Sequence, residues 1–579
     1  MNILILFASV LALSGYFISY KRFTDWNTAF FPVSFISFST VITYIFGLVG
    51  ALKAGAILIL ILGIALLPIT LLKSVNNKKI NYLIYLSDPV ILFFIICTIW
   101  SMIISRMHLL SDTDDLVHWY RICKILYADN AFPTNIDIYY TTYTPGTATW
   151  IYLFTKTFGF SVNNCFLGQS IINISACATF FSLIRKESKT LTKVIMILCI
   201  SANSLLLCSI DTSTSTLRVD SIIALLSLSI LIFGVNTGFS LNKKNVLFLL
   251  FTFSFLNSIK VSGILFQVFI IVVYLAKNKK FSDKLLNIRK SVIFFIPLLN
   301  PLLYRIRNTF IYKNINVGNQ AISIERFSGI VNDKTADSIK TTVLDVFFNS
   351  FNPLSEFTQV NIGWICFLFL ILCLIIFKSE SKTIAKIIVY IGIVYFVFVL
   401  FLAFTYVFSM NSYEASILSC FYRYIGTVTI FITGITNYYL IDLFSKSRNK
   451  LHSKIIPIFI FSVFIAGNFM FDYSYIFTGN QCCSIYNIFI DDTPWRILSI
   501  TAKENMEFTS EPYLVIYDDK YLENSNYRNT GILVEAFFRS PHSKAFLLSE
   551  SDKYTDILKD YDKDHIILCC KDDSLKNKL

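Results

Sequence analysis

Charge is what this sequence lacks. Asp, Glu, Lys and Arg make up 15% of its 579 residues, against 55% apolar and aromatic side chains. A soluble globular chain carries about 25% charged residues, so this chain has too little polar surface to face water on all sides. Also missing is any glycine-rich loop of the kind that cradles nucleotide phosphates. The thirteen cysteines show no zinc-ligand spacing, and most fall in apolar stretches where Cys acts as a small apolar residue. No internal repeat of the kind many transporters carry is visible.

What the sequence has instead is length without charge. Apolar stretches fall near 3–20, 29–50, 52–72, 89–105, 161–184, 191–209, 219–236, 245–258, 261–276, 291–304, 362–377, 387–408, 421–444 and 455–471. Many match the roughly 20 residues that a helix needs to cross a hydrocarbon core. The first is long enough to span and has no basic leader, so it reads as a membrane helix and not as a cleaved signal. The expected fold is therefore an all-α polytopic membrane bundle of about 14 helices. Within 245–276, Asn257, Ser258 and Lys260 interrupt two short spans. Such a break is tolerated where protein or water covers it.

The net charge of +13 comes from short basic connections at Lys21/Arg22, Lys73–Lys79, Arg185–Lys193, Lys243/Lys244, Lys277–Lys290, Lys378–Lys386 and Lys446–Lys454. Each follows an odd-numbered span. The positive-inside rule puts all of them in the cytoplasm, which explains the basic balance without nucleic acid. Both termini and the long segments 106–160, 305–361 and 472–579 are then expected outside the cell membrane. Three units follow: 1–88 as three N-terminal helices, 89–471 as the membrane core, and 472–579 as a small extracytoplasmic α/β domain. In that tail PYLVIYDD, KAFLLSES and HIILCC read as strands and the runs between them as helices. Cys482/Cys483 and Cys569/Cys570 lie there too, where disulfides are chemically allowed. In 305–361, ADSIKTTVLDVFFNSF reads as a helix suited to capping a cavity or touching an acceptor.

Residues able to do chemistry gather in the expected outer segments. Asp112, Asp114 and Asp115 open the first, and a helix through DLVHWYRICKILY sets His118 one turn from Asp114 and Trp119 one turn from Asp115. Such carboxylates serve as a general base, hold a divalent cation, or simply open a helix. Tyr139, Tyr140 and Tyr143 precede a Pro145–Gly146 turn and suit either an interfacial belt or a surface that stacks on a sugar. Arg218 and Asp220 read as a local salt bridge or anchor at the membrane border. Lys260, between two apolar segments, is costly unless it meets water or an anion such as a lipid phosphate. Beyond the short loop at Glu414, Arg423 and Tyr424 lie just inside an apolar run, with Arg shaped for bidentate phosphate recognition.

Taken in order, TDDLVHWYRICKIL, YYTTYTPGTATWIYLF, LRVDSIIALL, NSIKVSGILF and TYVFSMNSYEASILSCFYRY resemble the bacterial membrane glycosyltransferases of the GT-C superfold, over roughly residues 89–445. The closest similarity is to those in surface-polysaccharide gene clusters. Thr144 departs from the Tyr-Pro-Pro-Gly run of many relatives, and three further spans come before the one that leads into the first large loop, where relatives have that one alone. The resemblance implies transfer of a sugar from a polyprenyl-phosphate donor to a glycan or lipid acceptor on the outer face. It implies Asp114, Asp115 and His118 as catalytic residues. It places Trp119 in the catalytic-loop motif and Arg423 near the carrier phosphate; with the residue readings above, Trp119, Tyr140, Tyr143, Lys260, Arg423 and Tyr424 are the candidate substrate-binding residues. Asp112, Asp114 and Asp115 permit Mg²⁺ or Mn²⁺, although no cofactor is required by the resemblance. A polysaccharide polymerase or ligase, and a lipid-linked glycan flippase, are the alternatives.

Overall fold

The structure is a computed structural model and describes residues 3–74, 88–106, 110, 114–133, 143–184, 189–211, 216–277, 288–311 and 324–446, with strands at 514–517, 544–547 and 566–569. Helices dominate. The first group comprises α1 (Ile3–Phe23), α2 (Phe31–Leu48), α3 (Leu52–Ser74) and α4 (Pro89–Ser105). After a π-helical turn at Asp115–Trp119 come α5 (Tyr120–Asp129), α6 (Gly146–Phe158), α7 (Val162–Ala178) and α8 (Thr190–Ser209). Next are α9 (Asp220–Asn236), α10 (Lys243–Ile259), α11 (Gly263–Lys277), α12 (Ile288–Ile311) and α13 (Ile324–Asn332). The bundle closes with α14 (Ala336–Phe351), α15 (Thr358–Ile376), α16 (Ser381–Phe408), α17 (Ser412–Ser416) and α18 (Phe421–Lys446).

Among the described residues eight helices are long and apolar enough to cross a membrane, and the protein is a multi-pass membrane protein. That is fewer than the expected 14 or so, for identifiable reasons. Three of the expected spans, α4, α9 and α11, are apolar but short. At 1.5 Å per residue, the 17 residues of α9 reach about 25 Å, less than the roughly 30 Å of a hydrocarbon core. Helix α10 opens on Lys243/Lys244, while α12 carries Arg305 and Arg307 and two internal prolines, Pro297 and Pro301. The expected span 455–471 lies outside the described residues.

Burial sorts the helices into shells. The Val162–Leu183 and Phe421–Lys446 windows are 94% and 83% buried, against 22% for Ile3–Phe23 and for Leu52–Thr70, so α7 and α18 form the centre and α1 and α3 the rim. Helix α9 joins the centre, being buried from Asp220 through Gly234. A helix that is apolar on every side is one surrounded by protein. The rim pair is closed by small residues: a Cβ on Gly15 would sit 2.0 Å from the Gly63 carbonyl oxygen, the close backbone approach on which membrane helix pairs rely. Amides bind the centre across helices, with Asn437 Nδ2 donating to Asn203 Oδ1 at 2.8 Å.

Helix ends follow local rules. Asp88 caps α4 by accepting from the Val90 amide, with Pro89 at the first helical position. Thr335 caps α14 in the same way through the Ser338 amide, and α14 covers ADSIKTTVLDVFFNSF as the sequence predicts. Lys334 donates 2.7 Å bonds to the carbonyls of Tyr406 and Val407 at the end of α16. In the tail, β1 (Leu514–Tyr517), β2 (Lys544–Leu547) and β3 (Ile566–Cys569) fall within the three runs read as strands. They pair in parallel in the order β2-β1-β3. The segments joining them, and Cys482, Cys483 and Cys570, lie outside the described residues.

Candidate functional site

The site begins with a departure from the regular helix expected for DLVHWYRICKILY. Residues Asp115–Trp119 form a π-helical turn, the Tyr120 amide reaching back to the Asp115 carbonyl. Single π turns change which side chains share a face and cluster at functional sites. Here the turn separates three neighbours. Asp114 stays 29% exposed and pairs with Arg423 at 2.5 Å. Asp115 is buried, and its two oxygens accept from the Leu217 amide at 3.0 and 2.9 Å. His118 is fully enclosed, its ring edge-on to those of Trp119 and Tyr143 at 4.6 and 5.2 Å.

Arg423 then leads to the centre. Its Nε lies 3.2 Å from Asp220 Oδ2, and the other oxygen of Asp220 accepts from Lys260 Nζ at 2.7 Å. A continuous chain results: Asp114, Arg423, Asp220, Lys260. The four come from the first long loop, the start of α18, the start of α9 and the junction of α10 with α11. Arg218, read with Asp220 as a local salt bridge or an anchor, adds its charge to the surroundings of that carboxylate. The Arg218 guanidinium donates to Thr216 Oγ1 and to Tyr422 Oη, both at 3.3 Å.

Lys260 owes its place to the break anticipated in 245–276. Helix α10 stops at Ile259, Lys260 adopts an extended conformation, and α11 begins at Gly263. Protein covers the break. Asn257 donates to Gln267 Oε1 at 2.5 Å, and Gln267 donates onward to the Phe294 carbonyl. The start of α6 presses against the same corner, where a Cβ on Gly146 would lie 2.4 Å from the Ser258 carbonyl oxygen. Only glycine permits that approach of the Pro145–Gly146 turn to the end of α10. The ammonium ends between two rings, 5.5 Å from Tyr143 and 5.3 Å from Tyr424, which also lies 5.3 Å from the Arg423 guanidinium. Cations over aromatic faces at this range are attracted by the ring quadrupole. Trp119 stacks on Tyr143 at 5.7 Å and 21°, extending the aromatic wall.

The electrostatics follow from burial and neighbours. Burial alone would favour a neutral Lys260, but the Asp220 carboxylate outweighs it and keeps the amine charged well above the usual lysine range. Burial pushes the His118 imidazole down to about 3, and Lys260 adds to the depression, so the ring is neutral. Burial likewise holds the Tyr143 hydroxyl above its ordinary value.

One participant goes unsignalled in the sequence. Asp211, just past the end of α8, is 3% exposed, and its Oδ1 has no hydrogen-bond partner. Burial pushes its carboxyl up to about 7, opposed by the charges of Arg218, Arg423 and Lys260 and reinforced by that of Asp220. An acid after an apolar helix looks like any helix end, and only the fold shows which charges it faces.

The predicted residues Asp114, Asp115, His118, Trp119, Tyr143, Lys260, Arg423 and Tyr424 thus meet in one region, whereas Tyr140 and Asp112 lie outside the described residues. Among the described residues no three His, Cys, Asp or Glu side chains converge as a metal site. The two described donors of those expected for Mg²⁺ or Mn²⁺ are already engaged. Asp114 is turned onto a guanidinium and both oxygens of Asp115 onto an amide. No protein-family model, curated protein or solved structure matches this chain.

Proposed function

We propose that this protein is an integral-membrane glycosyltransferase that moves a sugar from a polyprenyl-phosphate donor to a glycan or lipid acceptor at the outer face of the cell membrane. The observation that carries the reading is the Asp114–Arg423–Asp220–Lys260 chain, in which one end is a partly exposed carboxylate and the other a cation between two tyrosine rings. Glycosyl transfer from a lipid phosphate needs a base near the acceptor hydroxyl and positive charge near the departing phosphate. Asp114 suits the first task because it is partly exposed, whereas Asp115 beside it is buried. Arg423 and Lys260 suit the second.

In this reading the acceptor oxygen attacks the anomeric carbon and its proton passes to the Asp114 carboxylate. The bond from anomeric carbon to phosphate oxygen breaks, and its electron pair leaves with the phosphate toward Arg423 and Lys260. Asp115 positions the chain by holding the Leu217 amide, and His118 supports the Trp119–Tyr143 wall as a neutral ring. The wall offers a face for the sugar or for the first isoprene units. The bilayer delivers the donor, and the C-terminal α/β unit serves acceptor docking.

The test compares cell-surface glycan in cells carrying wild type, Asp114→Asn and Asp115→Asn at equal membrane levels. Asp114→Asn is expected to remove a sugar while the protein remains inserted and folded; unchanged glycan would sink the assignment.

A further inference from the structure

Asp211 is a strongly buried acid of this region that the proposed chemistry leaves unused. Among the described residues, charged groups from several elements face it. Arg218 and Asp220 face it from the start of α9 and the residues before it, Lys260 from the junction of α10 with α11, and Arg423 from α18. Gln359 of α15 anchors the adjoining backbone by donating to the Ile210 carbonyl at 3.1 Å. Two carboxylates, Asp220 and Asp114, are bonded to cations of this group. Asp115, buried on the Leu217 amide, is a third carboxylate of the region. With Asp211 protonated, Arg218, Lys260 and Arg423 therefore balance Asp114, Asp115 and Asp220. With Asp211 ionised, the same set carries one net negative charge.

We propose that the site takes up a singly charged phosphodiester together with one proton, which is held on Asp211. This rests on the lipid-phosphate reading above and adds its regulation. The protonated carboxyl leaves the three cations unopposed by a fourth carboxylate when the phosphodiester enters, and its unpartnered oxygen has no local bond to lose. An ionised Asp211 would present a second negative charge to the incoming anion in a dry environment, where like charges interact strongly. Uptake balances simply: the anion enters, one proton leaves solvent for an Asp211 oxygen, and no covalent bond of the ligand changes. A phosphodiester has no proton to exchange near neutral pH, so any proton linked to binding belongs to the protein.

The probe is a short-chain prenyl phosphodiester, and binding is measured on the full-length detergent-purified protein. By linkage, wild-type affinity is expected to fall about tenfold between pH 6 and pH 8, because Asp211 carries its proton at the lower pH and has lost it at the higher one. Asp211→Asn, permanently neutral, is expected to bind at pH 8 as wild type binds at pH 6. Calorimetry in two buffers of different ionisation enthalpy measures the proton directly in wild type, so the proposal survives a variant that does not fold. Uptake of roughly three quarters of a proton at pH 7.5 is expected. Binding that is unchanged from pH 6 to pH 8 with no proton uptake overturns the role of Asp211 and leaves the lipid-phosphate reading standing. A wild-type protein that does not bind the probe at any pH overturns both.

Discussion

Lys260 and Arg423 each lie in a place where a bare cation would be expensive, and Asp220 is the residue that makes both tolerable. Removing one partner of a buried ion pair typically costs about 3–5 kcal/mol, because the other charge stays behind uncompensated. Asp220→Asn is therefore expected to lower the thermal midpoint in detergent far more than any exposed acid substitution, for example Asp337→Asn. Pairing it with Lys260→Met should recover part of the loss, and a double variant no more stable than Asp220→Asn would refute this account. His118 supplies a pH signature. Its folded value near 3 lies below the ordinary 6.5, so the unfolded chain binds the extra proton. Its contribution to stability is complete above pH about 6.5 and is lost progressively as pH falls toward 3. Melting scans across that window should show a decline that His118→Phe reduces. Asp211 runs the other way: raised from 3.8 to about 7, its contribution is complete below about 3.8 and is lost progressively as pH rises toward 7. The sequence made Lys260 and Arg423 legible because charges beside apolar runs need a reason. The bond from Asp115 to Leu217 and the role of Asp211 were not legible, since both depend on which distant segments the fold brings together.

At the level of the element, short helices do what full spans do not. Helices α9, α10 and α11 have 17, 17 and 15 residues, and the site gathers at their ends. A span count from hydropathy treats them as ordinary crossings, which is why about 14 crossings were expected. Periodicity was equally silent on the π turn, because inserting one residue per turn leaves the apolar pattern around Leu116, Trp119 and Ile122 almost unchanged. The corner where α6 meets α10 offers a sharper test. Gly146→Ala would set a methyl against the Ser258 carbonyl oxygen, and overpacking of this kind costs about 1–3 kcal/mol. The expected outcome is a lower melting temperature with weakened phosphodiester binding, as the end of α10 shifts and takes Lys260 with it. A variant that melts and binds like wild type would show that this contact does not position the lysine.

For the molecule as a whole, the asymmetry of the loops is the governing pattern. Basic connections free of long acidic runs alternate with long, mixed ones, and the positive-inside rule assigns the former to the cytoplasm. Cysteines introduced at Asp112 and Lys382 in a background without other reactive thiols should respond oppositely to a membrane-impermeant reagent added to intact cells. Labelling is expected at position 112 and protection at 382; the reverse pattern would invert the topology and move the site to the other face. The chain of ion pairs also bears on how such a molecule is made. Asp220 and Lys260 are 40 residues apart, whereas Asp114 and Arg423 are separated by 309. At an ordinary pace of synthesis, roughly 5–20 residues per second, the first pair is complete within about 2–8 s, but Asp114 must wait roughly 15–60 s for its guanidinium. During that interval the half-built protein carries an unsatisfied acid at the water boundary while later helices are still on the ribosome. The order of synthesis thus neutralises the lysine of the site first and closes the solvent-facing end last, so the site becomes whole only when α18 has been threaded into place.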